Sequence, residues 1–97
     1  MATLYIAEFE RPRNQWVNIG NAPPIAEQTV AITGASVQCT NAFNAKTALV
    51  RIKVDAICSI AFGTNPTATA TTMRLSAEDT EYFSVSPNMK IAVISNT

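Results

Sequence analysis

Ala48-Leu-Val-Arg-Ile-Lys-Val-Asp-Ala-Ile-Cys-Ser-Ile-Ala-Phe62 decides the fold, because every even position in it is apolar: Ala48, Val50, Ile52, Val54, Ala56, Cys58, Ile60 and Phe62. A strand with one buried face carries an apolar residue at every second position. The odd positions begin polar, with Arg51, Lys53 and Asp55, and then become Ile57, Ser59 and Ala61. The second face therefore passes from wet to nearly dry midway. Fifteen residues exceed an ordinary strand of about five or six, so a bend or turn near Asp55-Ala56 divides the run in two.

Working outward from this run, the same alternation recurs in short pieces separated by Gly, Pro and Asn. Thr3 to Phe9 and Gln15 to Ile19 read as strands around the loop Glu10-Arg11-Pro12-Arg13-Asn14, and Gly20-Asn21-Ala22-Pro23-Pro24 ends the pair. Residues 1–22 thus form either a hairpin or an N-terminal arm. Ile25 to Thr33 alternates Val30 and Ile32 inward, Gly34 breaks it, and Ser36 to Thr40 resumes. Asn41 to Lys46 is a loop, or at most a helical turn. Gly63 to Thr71 alternates Thr and Ala around Pro66, which suits a surface loop. Met73 to Leu75, Thr80 to Val85 and Met89 to Ser95 are the remaining strands, and Lys90-Ile-Ala-Val-Ile94 is apolar on both faces, as in a strand covered on each side. The expectation is an all-β protein: one domain over residues 1–97, a single small β-sandwich, jelly-roll-like, of about eight short strands.

Composition removes most function classes. There is no histidine, so Ser-His and Cys-His nucleophile pairs, His-containing zinc sites and imidazole switches are excluded. Seven basic and seven acidic residues cancel, and no basic cluster stands ready to neutralise phosphates, which argues against a nucleic-acid partner. Charged residues make up 14% of the chain, against about 25% in ordinary globular proteins. Edges with few lysines pair readily with other chains, and a free domain of this size is normally guarded by more charge. The shortage points to a surface covered by neighbours, in an oligomer or on a larger assembly.

The opening residues lack the basic flank and apolar core of a signal peptide, with acids at Glu8 and Glu10. The longest uncharged stretches are broken by Asn, Gln, Gly, Thr and Pro, so no membrane partner is expected. Cys39 and Cys58 lack the spacing of a metal or redox pair and read as free, mostly buried thiols with nothing nearby to activate them. Glu78, Asp79 and Glu81, with Asp55 a neighbour if the strands pair, allow a paired-acid or calcium reading, but solvated turn residues are the simpler account. Gly20, Gly34 and Gly63 are isolated, so no phosphate-cradling loop exists. No catalytic residue, cofactor, metal or small-molecule substrate is expected.

Two segments are candidates for partner contact. Arg11 and Arg13 flank Pro12 at a loop tip and can reach a partner's carboxylates; a plain solvated turn is the alternative. Thr67, Thr69 and Thr71 belong to a loop whose small side chains permit close approach along a neighbouring subunit, or else simply flex.

Met1-Ala-Thr-Leu-Tyr-Ile-Ala-Glu8, Pro24-Ile-Ala-Glu-Gln-Thr-Val-Ala-Ile32 and Asp55-Ala-Ile-Cys-Ser-Ile-Ala-Phe-Gly63 resemble a group of small tailed-bacteriophage virion proteins, as do Arg74-Leu75 with Ala77, Thr80-Glu-Tyr-Phe83 and Lys90-Ile-Ala-Val-Ile94. The likeness covers most of the chain and consists of strand patterns, without a functional signature. It implies a capsid decoration or cement protein that sits on the outer surface of the virion and ties neighbouring major capsid protein subunits together. It also implies a homo-oligomer, with a trimer favoured, assembled in the host bacterial cytoplasm. A head fibre base, neck or tail component is the alternative within the virion. A carbohydrate-binding β-sandwich module is the alternative outside it, and requires Trp16, Tyr5 and Tyr82 to be exposed and coplanar rather than packed in a core or subunit interface.

Overall fold

The computed structural model describes residues 2–10 and 24–96. Eight strands are present among them: β1 (Thr3–Phe9), β2 (Ala26–Ala31), β3 (Val37–Gln38), β4 (Leu49–Val54), β5 (Cys58–Gly63), β6 (Met73–Leu75), β7 (Thr80–Ser84) and β8 (Lys90–Ser95). They form two four-stranded antiparallel sheets, β2-β1-β4-β7 and β3-β8-β5-β6, packed face to face as an all-β sandwich.

The long alternating run is the joint between the sheets. β4 lies in the first sheet and β5 in the second, with a bend at Asp55 and Ala56 between them. Because the chain folds over at that bend, one parity stays inside on both sides of it. Val50, Ile52 and Val54 line the core from one sheet, and Cys58 and Ile60 line it from the other, all at most 1% exposed. Leu4 and Ile6 of β1, Ile91 and Val93 of β8, and Phe43, Val30, Ile32, Cys39 and Leu75 complete this core. Asp55 is tied to β1 twice: its Oδ1 accepts the Thr3 N–H at 2.6 Å, and its own N–H donates to the Thr3 carbonyl at 3.3 Å.

The pairing is that of a jelly roll. β5 with β6, β4 with β7 and β3 with β8 are nested pairs about the β5–β6 connection, as in eight strands rolled up from one long hairpin. The fourth pair is β2 with β1, so the slot of a final strand after β8 is filled by β1. The two ends of this circuit come together at adjacent residues: the Ile32 N–H donates to the Ala2 carbonyl at 3.0 Å, and the Ser95 N–H donates to the Thr33 carbonyl at 2.8 Å. β1 is thus a central strand, with Tyr5 opposite Thr29 on one side and Lys53 on the other. Both of its edges are occupied, by β2 and by β4. Gln15–Ile19 lies outside the described residues.

Among the described residues one acidic side chain is built into the interior. Glu8 falls on the core-facing parity of β1 and is 1% exposed. Its Oε1 accepts the Asn44 N–H at 2.8 Å and the Thr47 hydroxyl at 2.7 Å, which fixes the Asn41–Lys46 loop over the end of the sandwich. Hydrogen bonds to a charged group contribute about 1.5–3 kcal/mol each. Glu8→Ala is therefore expected to lower the unfolding free energy by about 3 kcal/mol, with Glu8→Gln costing less because it keeps one acceptor; urea denaturation of the two variants measures both.

Candidate functional site

The two sheets differ in what covers their outer faces. On the β3-β8-β5-β6 sheet, residues 64–72 fold back across it. Pro66 and Ala68 are buried, the Gln38 amide donates to the Asn65 side chain at 2.8 Å and to the Pro66 carbonyl at 2.9 Å, and the Ala68 N–H donates to Ser36 Oγ at 2.9 Å. The Asn96 amide reaches Ser59 Oγ at 2.7 Å and the Ala70 carbonyl at 3.2 Å. This cover is why the odd face turns dry after Asp55: Ser59 of β5 and Ala92 of β8 are each 0% exposed. The loop is accordingly held to its own sheet, while Thr67, Thr69 and Thr71 face solvent. The Thr69 and Thr71 hydroxyls lie 3.1 Å apart, and Thr72 Oγ1 donates to the Thr69 carbonyl at 2.8 Å, making a tight local turn. Arg11, Arg13 and Trp16 lie outside the described residues.

Asp55, Glu78 and Asp79 lie at bends and turns, while Glu81 lies on β7. Asp79 Oδ2 accepts the Ser76 N–H at 2.8 Å, closing a turn in which Glu78 takes a left-handed φ of 67°. Glu78 meets Lys53 Nζ at 3.5 Å, and Asp55 is spent on Thr3. No grouping of three or more metal-ligand side chains occurs among the described residues, and no helix there is long and apolar enough to cross a membrane.

Two surfaces remain. The first is the side of the sandwich where, among the described residues, β7 and β6 are the outermost strands of their sheets. Val85 N–H to the Ala48 carbonyl and Val54 N–H to the Asp79 carbonyl fix the hydrogen-bonding phase of the β4–β7 pair, so the N–H and C=O groups of Thr80, Tyr82 and Ser84 point away from the sheet. Beside this free edge runs an apolar groove of about 430 Å3 lined by Phe62, Met73, Phe83, Val85 and Met89. Phe62 and Phe83 meet in its lining, with ring centroids 5.1 Å apart and planes at 58°, and Met73 is 49% exposed.

The second surface is the outer face of the β2-β1-β4-β7 sheet. Here Tyr5 and Tyr82 are each 46% exposed, so neither ring belongs to the core. A groove of about 610 Å3 lies along this face, lined by Tyr5, Ala7, Glu27, Thr29, Arg51 and Lys53 among others. In the sequence Arg51 and Lys53 stand out only as polar odd positions of the 48–62 run, and Met73 and Phe62 only as strand residues. The polar-to-dry change along the 48–62 run was the available signal for the cations; what they stand beside depends on register with β1 and β7, which one strand's alternation does not carry.

Comparison with protein-family models, curated proteins and solved structures finds no match for this chain.

Both cysteines are free and buried. Burial pushes the Cys58 thiol up to about 11, with Asp55 and Asp79 adding to the shift. Burial likewise raises Cys39, although the Ile91 N–H and Lys90 oppose it. Neither is poised as a nucleophile at neutral pH. In the unfolded chain the thiols ionise near their ordinary value while the folded chain still holds its protons, so this stabilising contribution is complete below about pH 8.5 and is lost as pH rises toward 11. A thiol reagent at pH 8 should label no cysteine in the native protein and both in urea, and Cys58→Ala should flatten the alkaline fall in unfolding free energy.

Proposed function

We propose that this chain is a virion structural protein, a capsid decoration or cement protein that binds the major capsid protein on the outer surface of a tailed-phage shell. It acts as a homo-oligomer, with a trimer favoured. The observation that carries the reading is the β7 side of the sandwich, where a free strand edge adjoins the apolar groove over Phe62, Met73, Phe83, Val85 and Met89. An unguarded edge beside an apolar groove is suited to strand addition by another chain: the backbone groups give affinity and the groove takes alternate side chains. β7 contains no Lys or Pro, and its one charge is Glu81. The resemblance to small phage virion proteins supports the same reading and supplies the partner.

The mechanism is mechanical. Each contact is modest, and an oligomer that engages several shell subunits at once gains in retention through effective concentration. Resistance to outward pressure then comes from tying neighbours together, with no chemical step.

Occupancy of purified shells by added protein tests this. Tyr82→Pro is the sharpest variant, because the Tyr82 N–H points away from β4 and proline removes no hydrogen bond inside the sheet. Tyr82→Pro and Met73→Ser should keep the strand signature in circular dichroism and lower occupancy by roughly tenfold or more, about 1.4 kcal/mol of binding. Arg11→Ala combined with Arg13→Ala should weaken occupancy without unfolding. Full occupancy by the β7-side variants, or location of the wild-type protein at the neck or tail in images of intact particles, would overturn the reading.

A further inference from the structure

We infer that the outer face of the β2-β1-β4-β7 sheet is a binding site for a neutral oligosaccharide, centred on the hollow above Ala7. This goes beyond the proposed capsid role, uses the opposite kind of surface, and stands whether or not the chain decorates a shell.

The hollow is a product of register. Ala7 pairs with Glu27 of β2 on one side and with Arg51 of β4 on the other, so a methyl group stands between a carboxylate and a guanidinium on one solvent face. The Cα atoms of Glu27 and Arg51 are two strand spacings apart, about 10 Å. Among the described residues the two form no ion pair with each other or with any third group; the pair present on this face is Lys53 with Glu78. Tyr5, two residues before Ala7 on β1, walls the hollow along the strand, with Thr29 and Lys53 directly beside it. All of these side chains line the same groove of about 610 Å3, within the usual size range for small-ligand sites.

That set of groups matches the chemistry of a pyranose. A sugar ring offers a flat C–H face, which packs on an aromatic ring, and a rim of hydroxyls that each donate and accept. The hollow provides the half-exposed Tyr5 ring, a carboxylate acceptor, guanidinium and ammonium donors, and a hydroxyl able to do both. Tyr82 pairs directly with Arg51, which puts a second exposed ring two strands across and two residues along from Tyr5. Strand geometry makes their separation about 12 Å, far enough to engage separate sugar units of one chain. The lining carries two cations, Arg51 and Lys53, against three acids, Glu27, Asp55 and Glu78. That balance disfavours a phosphate or sulfate polymer and is compatible with a neutral glycan.

The test is a two-dimensional amide NMR titration of the whole chain with maltotriose, cellotriose, chitotriose and mannotriose, each to roughly 10 mM, the range in which single shallow sites saturate. At least one sugar should give saturable shifts at the Tyr5, Ala7, Thr29 and Arg51 amides. Tyr5→Ala and Arg51→Gln should each weaken that binding roughly tenfold or more. Ala7→Leu fills the hollow from a solvent-facing position and should abolish binding, with unchanged core amide shifts showing that the fold persists. Met73→Ser, on the other side of the sandwich, should bind sugar normally. Absence of saturable shifts with all four sugars, or binding that survives Ala7→Leu, would overturn the inference. Loss of shell occupancy in Ala7→Leu would do the same, by assigning the face to a protein partner.

Discussion

Everything in this sandwich hangs on keeping one parity of the Ala48–Phe62 run inside while the chain passes from one sheet to the other. At Asp55–Ala56 the backbone must turn without shifting phase by one residue, since a one-residue slip would send Val50, Ile52 and Val54 to solvent or strip Cys58 and Ile60 from the core. The hydrogen bonds between Asp55 and Thr3 hold that corner against β1. From the opposite side the Asp79 carbonyl accepts the Val54 N–H, and the Val54 carbonyl accepts from Glu78. A short acidic side chain and a strained turn thus secure the joint across which the two sheets share a core.

With the core fixed, the outer faces are free to diverge, and they do. One sheet is roofed by its own Thr/Ala loop, where Ala68 and Pro66 are small or rigid enough to lie flat and the threonines point outward. The other carries no such roof among the described residues, and its aromatic and charged side chains stand in rows set by the β1 registers. The division places self-contained packing on one side, a polar face on another, and an apolar edge along β7. A small domain with little charge can present two chemically different surfaces in this way without a second domain.

The strands were legible because their signal is local. The period-2 run, the break at Gly34 and the apolar Lys90–Ile94 segment each state their burial in their own residues, and β8 is indeed covered on both faces. The bend was legible for the same reason: fifteen alternating residues are too many for one strand of ordinary length. What the sequence did not disclose was which strands become neighbours. That β1 sits between β2 and β4, so that Ala7 separates Glu27 from Arg51, depends on pairings of residues some twenty and forty-four positions apart in the chain. Tyr5 and Tyr82 carried the same limitation: a tyrosine on a strand suits either face, and only the register exposes both. In the sequence Glu8 is one of the acids that break an apolar opening, yet it is buried, with hydrogen bonds from Asn44 and Thr47, far along the chain.

The placement of β1 in the slot of a final strand bears on how the chain acquires its shape. β1 leaves the ribosome before both of its partners, yet one of them is not complete until Val54 has emerged, and the sheet has no outer strand on that side until Ser84 follows. Local hairpins cannot build such a sheet stepwise, since its central strand waits for partners made much later. During that interval β1 keeps an open edge and an apolar face, and the same strand in another nascent chain presents an equivalent template. Sheet closure and the choice between pairing within a chain and pairing between chains are therefore decided together, late in synthesis.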